Sequence, residues 1–354
     1  MSNLVCGHGS PVASAPEGAD IPALAPRRWP SGEPSGHRRA LQSFALALAL
    51  QLSGIALINF LVNPFRLYPC RLVAPAAVDD HTTKLELLRC RRPQLLVLGS
   101  SRVLKLEPAY LERRTGLRAF NLGVASGQTE DSLCLLRYAT EGLHLPVRWV
   151  VLGVDVDSFT PTAPVNPQLC KNPCLRAFLP PELRPGWTAP IGDLLDALTI
   201  DQLTMSIRAL WPRSVRRPGW FDADGLLHNA AEKRPLDLSL DMRPCMRRFG
   251  NYPYLSPARL GYLDEIARLC RRRRIRLSVF LTTVHAQYAR SVAATYWPRY
   301  RELVPVLERK APKEGFTFTD CSQVEKYGGD PNDFYDCSHV KCGNSRRIID
   351  HVIQ

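Results

Sequence analysis

Two short motifs, far apart in the chain, carry residue types that do chemistry together. Val97-Leu98-Gly99-Ser100-Ser101-Arg102 closes an apolar run, and Asp336-Cys337-Ser338-His339 lies near the C-terminus. A serine hydroxyl is a poor nucleophile until a base takes its proton. An imidazole can be that base when a carboxylate holds its other ring nitrogen. Ser101, His339 and Asp336 are therefore candidate nucleophile, base and orienting acid of an acyl-transferring or hydrolytic site. Each motif also has a plainer reading. Serines favour caps and turns, so Ser100 and Ser101 could simply close the turn, while Asp336 could open a helix and His339 could be a surface imidazole.

For these residues to meet, the elements between them must bring the motifs to one edge. Residues 80–91 read as a helix ended by Pro93, followed by a strand over 94–98. Helix 107–115, strand 117–122, helix 129–141 and strand 148–154 continue the alternation, and the last strand is apolar throughout, as expected when both faces of a parallel sheet are covered. Residues 160–255 break the rhythm with many prolines, tryptophans and cysteines and one helical pattern, 193–211; they read as an insertion that shapes a substrate groove. Helix 257–274, strand 276–281, helix 289–310, strand 317–320 and helix 342–353 complete the chain. Such βαβ alternation predicts a doubly wound α/β domain around a central parallel sheet. A serine just past a buried strand then projects from the carboxyl edge, where open α/β sheets hold their ligands.

At 354 residues, 45% of them hydrophobic, the chain can bury a sizeable core. The net charge of +13 raises nucleic acid as a partner, but the basic residues are scattered and no zinc-finger, helix-turn-helix or RNA-recognition signature accompanies them, so no nucleic-acid partner is expected. Membrane attachment is better supported. No charged residue lies between Arg39 and Arg66, and residues 40–62 are mostly Leu, Ala, Ile and Phe, long enough at ~1.5 Å per residue to cross a ~30 Å hydrocarbon core. A cleaved signal and a buried core helix are the alternatives. Arg27, Arg28, Arg38 and Arg39 precede the segment, which predicts a disordered cytoplasmic tail over 1–39, a single-pass anchor in the inner membrane, and a periplasmic domain over 66–354. In that oxidising compartment some of the ten cysteines after the anchor should pair, with Cys170/Cys174 and the trio Cys321, Cys337 and Cys342 the leading candidates. The spacings 170–174 and 337–342 do not match a paired CxxC framework, so no metal site is expected.

With Gly99-Ser100-Ser101 after a strand and Asp336-Cys337-Ser338-His339 before a closing helix, residues 93–353 resemble the SGNH/GDSL hydrolase superfamily, and within it the membrane-anchored bacterial proteins linked to polysaccharide O-acylation. The GSS turn resembles a variant of the family's GDS turn, with Ser101 in the nucleophile's place, and the C-terminal motif resembles its DxxH block. Asn121-Leu122-Gly123-Val124-Ala125-Ser126-Gly127 resembles the second block, which implies a backbone N–H from Gly123 or Gly127 as an oxyanion donor. The third block departs from the pattern. Gly153-Val154-Asp155 puts Asp155 where the family has a donating Asn, and an ionised carboxylate only accepts, leaving Asn121 or backbone donors to supply that limb. His285, after strand 276–281, is a candidate substrate contact or a surface histidine, and Arg102 a candidate anion contact or a solvated side chain. The resemblance implies a three-layer αβα sandwich of flavodoxin-like build, esterase or O-acyltransferase activity on acyl groups of an envelope glycan, a membrane-bound O-acyltransferase as partner, and no cofactor. A non-catalytic glycan-binding or scaffolding version of the fold, and a cysteine-rich structural ectodomain, are the competing readings.

Overall fold

A computed structural model describes residues 34–63 and 80–353, except 185, 187–191, 193–194, 196–197, 211–219, 229, 234, 240–245 and 247–248. The chain divides into two compact units, Met1–Gln51 and Leu52–Gln354, with the boundary inside the first helix, α1 (Pro34–Val62). This helix is long and apolar enough to cross a membrane. It begins at Pro34, so the last residues assigned to a disordered tail are helical; residues 1–33 of that tail lie outside the described residues.

In the larger unit, α2 (Asp80–Arg91) leads to β1 (Leu95–Leu98), α3 (Pro108–Thr115), β2 (Ala119–Asn121), α4 (Thr129–Arg137) and β3 (Trp149–Val154). After the irregular segment come α7 (Pro257–Arg272), β6 (Arg276–Leu281), α8 (Ala286–Ser291), α9 (Ala293–Glu314), β7 (Thr317–Asp320) and α10 (Cys342–Val352). The segment itself holds α5 (Pro167–Lys171), α6 (Ile200–Leu210) and a small antiparallel pair, β4 (Trp220–Phe221) with β5 (Leu227–His228). Part of the helical pattern expected over 193–211 falls outside the described residues.

Five parallel strands form one sheet in the order β2-β1-β3-β6-β7. Strand β1 is extended to β2 on one side, and the chain then crosses back to place β3 on the other, so the strand order reverses beside β1. In open α/β sheets, ligands bind at the carboxyl ends of the strands beside such a reversal. Alternate strand residues feed two apolar clusters. Leu96 and Leu98 join Leu133 of α4, Leu263 of α7 and Leu307 of α9, whereas Leu95 and Val97 join Leu111 of α3 and Ile348 of α10. This double burial explains why β3 reads as a run of apolar residues with no polar alternation.

Three details differ from the expectations. The helix after Thr129 changes to a π turn at Tyr138–Gly142. The helix expected over 289–310 is two helices broken at Val292, and the second runs on through Pro298, Pro305 and Pro312 to Gly315. No disulfide joins the eight described cysteines after the anchor, contrary to the pairing expected of Cys170/Cys174 and of Cys321, Cys337 and Cys342. Two of the trio pack in different apolar clusters, Cys337 in one and Cys321 in the other. Burial pushes the Cys321 thiol up to about 12, so it is an inert core thiol.

Candidate functional site

The serine turn is built by local hydrogen bonding. Ser100 caps the 3-10 turn Ser101–Val103, its Oγ accepting from Arg102 N at 3.2 Å and its carbonyl from Val103 N. The capping reading is therefore correct for Ser100. Ser101 does something else: its Oγ lies 2.8 Å from His339 Nε2.

Glycines make room for this turn. The side chain of Val103, two residues past Ser101, rests against Gly99, Gly123 and Gly153, one from the end of each of three neighbouring strands. A Cβ on Gly153 would stand 2.3 Å from Val103 Cγ1, and one on Gly99 would stand 2.5 Å from the Gly153 carbonyl oxygen at a φ of +140° that side-chain-bearing residues avoid. The glycine of each block thus serves as a seat for Val103.

The second motif forms a tight loop. Tyr335 N donates to His339 O, Lys341 N to Asp333 O, and Phe334 pairs with Val340. Asp336 Oδ1 accepts from the backbone N–H groups of Ser338 and His339 at 2.8 Å each, and its Oδ2 lies 2.7 Å from His339 Nδ1. Burial alone would raise the Asp336 pKa, but the His339 ring and the two backbone donors outweigh it and hold the carboxyl below its ordinary value. A carboxylate in contact with Nδ1 fixes the tautomer in which Nδ1 carries the proton and Nε2 is free to take one from Ser101. Tyr335 lies parallel to the His339 ring at 5.3 Å between centroids and restricts it further.

Packing of α10 brings this loop over the serine turn. Ser345 Oγ donates to Lys105 O at 2.5 Å, Arg346 pairs with Glu107, and Tyr110 OH donates to Asp350 Oδ2 at 2.7 Å. These contacts join the segment just after Ser101 to the helix just after His339. Distance along the chain hid them from any sequence pattern.

The anion-stabilising side is different. Asn121 Nδ2 donates to Val103 O at 2.7 Å and to Leu106 O at 3.0 Å, and its Oδ1 accepts from Gly123 N at 3.0 Å. Both amide hydrogens of Asn121 and the Gly123 N–H, which the resemblance offers as oxyanion donors, thus already have partners inside the fold. Gly127 is committed too, donating to Val124 O at 3.0 Å. The Ser101 N–H, which opens the 3-10 turn, meets no acceptor among the described residues and is free to donate.

Asp155 and Arg102 explain each other. Both are buried, and Arg102 Nη1 lies 2.8 Å from Asp157 Oδ1 and 3.4 Å from Asp155 Oδ1. Asp155 also accepts from Thr282 Oγ1 at 2.5 Å, binding the end of β3 to the end of β6. Arg102 is therefore neither a solvated side chain nor an exposed anion contact, and Asp155 is a buried counter-ion. His285 caps α8, its Nδ1 accepting from Gln287 N at 3.2 Å, while its N–H donates to Cys337 O at 3.1 Å. It thereby braces the loop that carries Asp336 and His339. Burial, with Arg290 nearby, holds its pKa below the ordinary value.

Lys84 escaped notice in the sequence because nothing in its helical pattern marks it. Its fully buried Nζ donates to Asn121 O at 2.9 Å and reaches Asn121 Oδ1 at 3.3 Å, and burial lowers its pKa to about 7. The irregular segment does form a groove, of about 580 Å³, between residues 162–167 with Asn251 and the loop residues Ala125, Ser126 and Gln128. Ser101, His339 and Asp336 do not line it. No group of three His, Cys, Asp or Glu side chains among the described residues is arranged to hold a metal ion.

Chemically, the arrangement can pass a proton from a hydroxyl to an imidazole whose charge is balanced by a carboxylate. No family model matches the chain, and no curated protein matches it.

Proposed function

We propose that this chain is a serine esterase or O-acyltransferase of SGNH type, acting on acyl groups of a cell-envelope or secreted glycan. The observation that carries this reading is the continuous relay from Ser101 Oγ through His339 to Asp336, at 2.8 Å and 2.7 Å. Ser101 Oγ attacks the acyl carbonyl as His339 Nε2 takes its proton, and Asp336 balances the imidazolium. The tetrahedral intermediate collapses as His339 returns the proton to the leaving alcohol, leaving an ester on Ser101. Water or a sugar hydroxyl then loses its proton to His339 and attacks that ester. The Ser101 N–H supplies one oxyanion donor. In this reading the helices on the two faces of the sheet make a three-layer sandwich, α1 anchors the protein in the inner membrane, the arginines before it keep the N-terminus cytoplasmic, and the triad works in the periplasm, alongside a membrane-bound O-acyltransferase.

The committed donors of Asn121, Gly123 and Gly127 favour a second reading, in which the fold binds glycan without turning it over. Fluorophosphonate labelling and acetyl-ester hydrolysis by the full-length protein in membranes decide between them. The catalytic reading expects label on Ser101 that disappears in Ser101→Ala and falls sharply in His339→Ala. Equal labelling of Ser101→Ala and the parent would sink the triad, and a folded parent that neither labels nor hydrolyses supports the binding reading.

A further inference from the structure

Helix α6 (Ile200–Leu210) has its faces reversed relative to a water-exposed helix. Gln202 and Ser206, one turn apart, are buried, whereas Ile200, Ile207 and Leu210 are 78%, 51% and 52% exposed. At 3.6 residues per turn these three fall within an arc of about 80°, and the sequence positions of Asp201 and Arg208 lie outside it. In water the apolar arc would be expected to turn inward.

The polar face has a specific partner. Ser206 Oγ donates to Asn59 Oδ1 at 2.7 Å, and Asn59 is buried in the last turn of the apolar helix α1. An amide in hydrocarbon is costly unless another helix pairs with it, and Ser206 pairs with the Asn59 amide oxygen. On α1 itself, Leu57 and Ile58 are exposed beside this contact. If α1 crosses a bilayer, Asn59 stands within one turn of its end at Val62, and α6 is held at that depth.

We propose that α6 lies in the interface of the bilayer that α1 crosses, with Ile200, Ile207 and Leu210 in lipid, so that the globular unit is seated on the membrane surface. The proposal rests on α1 as a membrane helix and is independent of the hydrolase reading. It accounts for the exposed apolar arc, the buried polar face and the Asn59–Ser206 bond together.

The test places a benzophenone amino acid singly at Leu57, Ile207, Leu210 and Arg309 of the full-length protein in phosphatidylethanolamine/phosphatidylglycerol vesicles and measures lipid adducts after irradiation. Arg309, exposed on α9, is the aqueous control. Positions 207 and 210 should give adducts comparable to position 57 and about tenfold above position 309. Adducts at 57 with background levels at 207 and 210 would overturn the proposal, as would cross-links from 207 and 210 to protein. Background levels at 57 would remove its premise and overturn it as well.

Discussion

The two sides of the carboxyl edge of the sheet contrast sharply. On one, the side chains of Ser101, His339 and Asp336 form an unbroken relay in which each polar atom faces the next. On the other, Asn121, Gly123, Gly127 and Asp155 occupy positions where donors for a developing anion were expected, yet their donors and charges already have partners inside the fold. A motif residue therefore cannot be given a role until every one of its hydrogen bonds has been assigned, because a buried donor already in use cannot also meet a substrate.

The largest expected effect tests the first side. If the relay is catalytic, Ser101→Ala lowers ester turnover by a factor on the order of 10⁶, with no change in denaturant midpoint. Asp336→Asn should follow at about 10⁴, since a neutral amide no longer fixes the Nδ1-protonated tautomer. A rate within a few-fold of the parent in Asp336→Asn would mean that the relay is not used.

The next tests bear on the second side. Asn121→Ala leaves Val103 O, Leu106 O and Gly123 N without the partners they now have, and should cost about 3 kcal/mol of stability in urea denaturation. A variant that keeps its stability but loses turnover would instead make Asn121 an oxyanion group and dissolve the contrast. Asp155→Asn weakens the balance of the buried Arg102 charge and should cost about 1–2 kcal/mol without raising the rate. A rise in rate would show that the third block does face the reacting carbonyl.

The smallest effects are in pH dependence. The Asp336 carboxyl is held below its unfolded value, so its contribution is present above pH ~3.9 and is lost as pH falls through the lower folded value. His81 behaves oppositely. Burial lowers its pKa, but Asp131 at 2.9 Å and Gln168 at 3.3 Å, with Asp80 nearby, raise it on balance. Its contribution is complete below pH ~6.5 and is lost as pH rises through the raised folded value. The stability difference between parent and His81→Gln should shrink with rising pH over that range; a difference that does not change would mean that His81 is neutral in the fold.

Much of the element order was legible. Helix α2 and strands β6 and β7 have the limits that periodicity and proline placement predict, because those signals are local. The break at Val292 was not, since residues 289–295 hold no proline or glycine to mark it. The unpaired cysteines were equally illegible, because spacing along the chain says nothing about the different apolar clusters in which Cys321 and Cys337 pack.

The sequence alone determined which residues could form the relay, the apolar α1 segment and a parallel sheet with both faces covered. These follow from residue type, hydrophobic run length and alternation, which are local properties. Only the tertiary structure decided that Val103 sits on three glycines, that Lys84 reaches Asn121, that Arg102 is spent on Asp155 and Asp157, and that Gly123 has no N–H to spare. Those outcomes depend on which buried donor finds which acceptor across distant parts of the chain, a pairing fixed by packing and invisible in the order of residues.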